Sequence, residues 1–133
     1  MEIKPVEESI KKEILKVDTV KLIYLYGSIL TPAFNEESDI DCAIYCEKSV
    51  FNKAYYKTKT NIEFLLQRDV DLVNIKTADP AFATEIIYTG KLIYASEKAF
   101  KERFEMRIFA EYLTLEEDRA VVLEAVYKRG RVF

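Results

Sequence analysis

Histidine and tryptophan are absent from this sequence, and glycine and proline are scarce, with three of each. Without histidine, the commonest general base near neutral pH and the commonest zinc ligand are both missing. Catalysis here has to run on carboxylates, hydroxyls, thiols or lysine. The only two cysteines, Cys42 and Cys46, have no histidine or further cysteine with which to form a zinc set. They lie four apart in an apolar run and read as small buried hydrophobes of a reducing compartment. No stretch approaches the ~20 apolar residues that span a bilayer. The opening "MEIKPVEESIKKEI" is charged throughout and lacks a signal-peptide core. A cytoplasmic protein without membrane association is expected. The formal net charge of −3 argues against a chain devoted to gripping nucleic-acid backbone, so no direct nucleic-acid binding is expected.

What is present is ordinary globular material: 50% hydrophobic and 32% charged over 133 residues. That length suits one core and a single domain over 1–133. Pro5 can open a first helix, with Val6, Ile10, Ile14 and Leu15 near helical spacing. "VKLIYLY", 20–26, reads as a strand halted by Gly27. Residues 28–38 hold Pro32 and Asn35 and read as a loop or one short helical turn. "DIDCAIY", from Asp39, is a second strand. Phe51 to Gln67 reads as a helix and "VDLVNI", 70–75, as a third strand. Asp79-Pro80 signals a helix start, with the stop near Gly90 in the left-handed conformation. "KLIYA" is a fourth strand. Two helices should close the chain, one over about 97–113 and one from a capping box at Thr114 to near Gly130. The fold class is therefore α/β (α+β), a small mixed sheet of about four strands flanked by helices.

One segment, "YLYGSILTPAFNEESDIDCAIY", carries chemistry. In a strand, residues i and i+2 share a face, so Asp39 and Asp41 project together while Ile40, Cys42 and Ile44 project oppositely. Two carboxylates ~7 Å apart at their origins can converge on a hard cation. Asp71, flanked by apolar residues in the third strand, offers a third carboxylate if that strand lies beside the second. Gly27 permits close backbone approach, and Ser28 can donate to phosphate oxygens. Phosphate donors beside an acidic metal-holding cluster are what nucleotidyl transfer requires. Each feature also has a plainer reading. Paired aspartates often cap a turn or face water, and Ser38 reads as a turn residue. Asp69 is the alternative to Asp71 as third carboxylate, but at the strand's edge beside Arg68 it reads as solvent-facing. Most of the tyrosines and phenylalanines read as core, with one of Tyr55 and Tyr56 exposed. Arg103 and Arg107 read as an amphipathic surface from which one arginine can reach a triphosphate, and the basic "YKRGRVF" as a solvated tail.

Gly-Ser, ten residues, then Asp-Ile-Asp resembles the signature of the DNA polymerase β-like nucleotidyltransferase superfamily. The short length and Ser-Asp-Ile-Asp core are most similar to its minimal nucleotidyltransferases. The resemblance implies the corresponding fold, with two closing helices. It also implies an antitoxin that transfers AMP from ATP to a tyrosine of a HEPN-domain RNase toxin, within an oligomeric toxin–antitoxin complex. By the same resemblance Gly27 and Ser28 hold phosphates, Asp39, Asp41 and Asp71 bind Mg²⁺ (two ions), and Asp71 accepts the proton of the attacking hydroxyl. ATP is implied by the family alone. The sequence departs from the pattern where relatives carry Ala-Arg-Gly, since Leu30-Thr31-Pro32 stands there. Two other readings stay open: an antitoxin acting by contact alone, and a transferase acting on a small molecule or an RNA end.

Overall fold

The computed structural model describes residues 3–17, 19–47 and 53–128, with side-chain surroundings as far as residue 119. In chain order these form α1 (Ile3–Ile14), β1 (Val20–Tyr26), a 3-10 turn (Gly27–Leu30) and β2 (Ile40–Cys46). There follow α2 (Lys53–Leu66), β3 (Val70–Asn74) and a second 3-10 turn (Ile75–Thr77). Then come α3 (Pro80–Thr89), β4 (Lys91–Ala95) and α4 (Lys98–Lys128). The strands make one mixed sheet in the order β3-β2-β1-β4. β1 runs antiparallel to both β2 and β4, whereas β2 and β3 are parallel and joined through α2.

Alternation along the strands decides the layering. Ile40, Cys42, Ile44 and Cys46 of β2 enter one core with Ile23, Leu25, Val70 and Leu72. The stripe Val6, Ile10, Ile14 of α1 and Ile62 of α2 cover that face. Ala43 and Tyr45 enter the opposite core with Leu22 and Tyr24, beneath Ala83 and Ile86 of α3 and Phe104 and Ile108 of α4. Spacings of four along α1 and of two along β2 thus each mark a buried face. Tyr24 completes the α4 contact by donating its hydroxyl to Glu105 at 2.7 Å. Both cysteines are buried thiols outside any disulfide, and burial pushes the Cys42 thiol pKa up. Tyr56 is the exposed member of its pair, at 65%. Among the described residues, no helix is long and apolar enough to cross a membrane.

Three expectations need correction. The closing pair of helices is one continuous α4. Thr114 does not cap a new helix; its hydroxyl donates back to the Ala110 carbonyl at 3.0 Å. No glycine or proline interrupts 98–128, so nothing competes with continuing the helical ladder. Asp39 lies just outside β2, which begins at Ile40. Gly90 ends α3 as expected but with φ −83° and ψ 178°, in extended rather than left-handed backbone. Phe51, Gly130 and the residues after Lys128 in the basic tail fall outside the described residues.

Gly90 is required by close approach, because an added Cβ would meet the carbonyl oxygens of Ile86 and Leu25. Neither can swing away, since one belongs to α3 and the other to the central strand. Gly90→Ala is expected to destabilise the fold by about 1–3 kcal/mol, read as a lowered denaturation midpoint. A neutral or stabilising result would mean that β4 and α3 separate easily at this point.

Candidate active site

The carboxyl end of β1 and the amino ends of β2, β3 and β4 meet at one edge of the sheet. There a row of register partners crosses three strands: Tyr26 opposite Asp41, and Asp41 opposite Asp71. Partners across a sheet share a face. Since Ile40 and Cys42 face α1 and α2, the row faces the α3/α4 side. Asp71 therefore stands beside Asp41 on the same face. Tyr26 joins them, a residue that read only as strand from sequence. Its phenol pKa is pushed up by burial first, then by the charges of Asp41 and Asp71. Its ring packs edge-on against Phe82 of α3, with centroids 5.8 Å apart.

Gly27 follows directly, at φ +80°. A Cβ there would coincide with the Asp41 carboxylate, so the glycine is what lets that carboxyl lie against the turn. The 3-10 turn that begins at Gly27 leaves its first amides without partners inside the turn. Thr31 closes the turn, with both its amide and its hydroxyl donating to the Ser28 carbonyl at 2.9 and 2.8 Å. In front of the turn opens a cleft of about 450 Å³ lined by Tyr26, Gly27, Thr31, Asp41, Phe82 and Glu85 among others. That volume is within the range of small-molecule sites. Among the described residues no lysine or arginine lines it.

On the other side of Asp41, Asp39 lines a second groove of about 430 Å³ with Glu36, Glu37, Glu63, Arg68 and Asp69. Asp69 thus belongs to the groove wall, and its carbonyl accepts from the Ile40 amide at 2.9 Å. The acidic set stands between two openings. Burial raises the Asp41 pKa most, followed by the charge of Asp71 and then that of Asp39. Among the described residues no three acidic or thiol side chains already form a metal cage. Backbone placement leaves that to side-chain rotation: neighbouring strands lie ~4.8 Å apart and alternate residues ~7 Å. The oxygen donors of Asp41 and Asp71 on their shared face fit a hard divalent cation. Arg103 and Arg107 do not belong here. They line a separate groove with Tyr45 and Phe104, four residues farther along β2, or about 13 Å at strand rise.

The family model described as "Polymerase beta, Nucleotidyltransferase" matches residues 8–99. The chain is 26% identical over 110 residues to the protein adenylyltransferase MntA of Shewanella oneidensis, covering 83% of this chain and 78% of that one. It superposes on a chain of a toxin–antitoxin complex crystallised with AMP-PNP at TM-score 0.78. There the identity is 25%, over 91% of this chain and 98% of that one. A complex of a tri-AMPylated Shewanella oneidensis HEPN toxin with its MNT antitoxin gives TM-score 0.73 at 24% identity, over 93% and 98% of the two chains.

Because the folded Asp41 carboxyl has a raised pKa, its ionised form is less favourable in the fold than in the open chain. This penalty is absent below the unfolded value, about 4, and grows as pH rises through the folded value. In chelated, nucleotide-free buffer, stability should therefore fall over that window. Asp41→Asn should flatten the fall and raise the melting temperature at neutral pH, more at low salt. A variant that melts at or below wild type at neutral pH would contradict the electrostatic description of the row.

Proposed function

This chain belongs to the polymerase β nucleotidyltransferase family, and from that premise we propose that it is a protein adenylyltransferase antitoxin. Its reaction moves AMP from ATP to a tyrosine of a cognate HEPN-domain RNase toxin, which silences the toxin. The observation that carries this reading is the pairing of Asp41 with Asp71 on one face, against the Gly27 turn. Likeness to a curated adenylyltransferase and to toxin-bound antitoxins supports the choice of acceptor.

In this reading the amides at the Gly27–Ser28 turn face the β- and γ-phosphates, where the missing side chain permits close approach. Mg²⁺, two ions held by Asp39, Asp41 and Asp71, supplies charge neutralisation of the triphosphate and of the departing pyrophosphate. Asp71 is exposed on β3, where an incoming hydroxyl can reach it, and it accepts the tyrosine proton. The phenolic oxygen forms a bond to the α-phosphorus as the bond to the bridging oxygen breaks, and pyrophosphate leaves with that electron pair. The absence of histidine leaves a carboxylate as the base near the α-phosphate. A cytoplasmic site of action and an oligomeric complex with the toxin go with this reading.

A second reading has one specific observation behind it: among the described residues no cationic side chain lines the cleft. An antitoxin that neutralises by contact alone needs no triphosphate affinity. Purified protein, labelled ATP, Mg²⁺ and the HEPN partner separate the two. Wild type should place label on a toxin tyrosine, and the Asp39→Ala/Asp41→Ala variant should fall by about a hundredfold or more. Equal labelling by both proteins would sink the catalytic reading. Neutralisation that survives loss of all three aspartates, with no labelling by wild type, would select the contact reading.

A further inference from the structure

Asp41 and Asp71 are held by the sheet, but Asp39 is a loop residue, and a metal ligand on an unrestrained loop is held poorly. We propose that Arg68 is the positioning residue for Asp39, acting by clamping the turn that precedes it. The inference rests on the metal-dependent reading above and assigns a role to a residue outside the acidic set.

The turn closes on itself at 35–38. The Ser38 amide donates to the Asn35 carbonyl at 3.0 Å, and the Asn35 amide donates to the Ser38 hydroxyl at 3.0 Å. Glu37 donates its amide to the Asn35 side chain at 2.8 Å. These bonds shape the turn but do not attach it to the sheet. Arg68 does so. One guanidinium nitrogen donates to the Asn35 carbonyl at 2.5 Å and to the Ser38 carbonyl at 3.0 Å. The same guanidinium lies over the Phe34 ring, 4.4 Å from its centroid.

The Ser38 carbonyl belongs to the peptide that enters Asp39. The peptide that leaves Asp39 is fixed by the Ile40 amide, which donates to the carbonyl of Asp69. Residues 68 and 69 thus tie down the backbone on both sides of Asp39. Gln67, at φ +53°, ends α2 in a left-handed turn, and its side chain donates to the Phe64 carbonyl at 2.6 Å. That turn directs Arg68 toward the loop.

What arginine adds is its flat face: one terminal nitrogen meets both carbonyls while the plane stacks on the Phe34 ring, which a lysine ammonium, a point charge, does not do. Asn35, Glu36 and Glu37 of the clamped turn are all at the surface, while Phe34, the ring under the guanidinium, has its own packing against the core beneath α1 and α2. Releasing it should free Asp39 without loosening the fold.

Uptake of Mn²⁺, an EPR-visible substitute for Mg²⁺, in the presence of AMP-PNP tests this directly. The full chain is compared with Arg68→Ala, Arg68→Lys, Asp39→Ala and the Arg68→Ala/Asp39→Ala double variant. Arg68→Ala should weaken Mn²⁺ uptake about tenfold, as loss of a residue orienting a metal ligand does, with the melting temperature almost unchanged. Arg68→Lys should recover little of the loss. In the Asp39→Ala background the arginine change should add nothing. Unchanged uptake in Arg68→Ala overturns the role. So does an equal further loss in the Asp39→Ala background, or unfolding of Arg68→Ala, since either would assign Arg68 to general stability. If wild type takes up no Mn²⁺ with AMP-PNP, the metal-dependent reading falls and this inference with it.

Discussion

The in-register parallel pairing of β2 with β3 is the constraint on which the site depends. It sets Asp41 directly opposite Asp71, an arrangement that like charges oppose. At an effective dielectric near 20 and ~5–6 Å, their repulsion is on the order of 3 kcal/mol before salt screening. The opposite face resists any change. Ile40, Cys42, Ile44, Val70 and Leu72 are all buried beneath α1 and α2, and each large aliphatic contributes roughly 1.5–3 kcal/mol by leaving water. A slip of one residue would move that whole set to the wrong side. Burial therefore wins, and the acidic row follows from it. The Glu63 carboxylate adds a local lock by accepting the Val70 amide at 3.0 Å.

The same logic explains which features were legible in the sequence. "VKLIYLY" and "KLIYA" are strands because β-branched and aromatic residues run unbroken between turn signals, and both appear with the expected bounds. Asp79 caps α3 through the Ala81 amide at 2.8 Å, with Pro80 at its first position. Period two fits Asp41 and Asp71 within their strands, but Asp39 precedes β2 and lines the other groove, where strand alternation no longer sets its direction. Period two does not encode which strands are neighbours or in what register, so the place of Tyr26 in the acidic row was invisible. Thr114-Leu115-Glu116-Glu117 carries a capping pattern, but such a pattern acts only where the helix has already stopped. With helix formers on both sides, the Thr114 hydroxyl turns back to Ala110 instead. Arg68 was read only as a neighbour of Asp69, because its contacts lie 30 and 33 residues away. No local pattern reports bonds of that range.

Glycine enters at the two points where backbone meets something immovable. Gly27 admits the Asp41 carboxylate, and Gly90 admits the carbonyls of Ile86 and Leu25. Both lie at the same edge of the sheet, since Gly90 precedes Lys91, the partner of Leu25. The turn after β1 and the end of α3 are thereby drawn together, and the cleft with Phe82 and Glu85 on its far wall is the space left between them. Its shape follows from backbone packing more than from the choice of lining side chains.

Charge gives the last step. Under the proposed function a triphosphate entering this cleft would meet Asp41 and Glu85 and, among the described residues, no lysine or arginine. The Arg68 guanidinium, which lines the groove with Asp39, is directed at the carbonyls of Asn35 and Ser38 and at a ring. It holds the loop and leaves phosphate unneutralised. Backbone amides at the Gly27 turn provide partial charges only, too little to offset several phosphate charges beside three carboxylates. In the proposed reaction, attraction for the nucleotide has to arrive with it, as divalent cations shared between phosphate and the acidic row. On that proposal nucleotide affinity follows metal affinity, and both follow from how firmly Asp39, Asp41 and Asp71 are held.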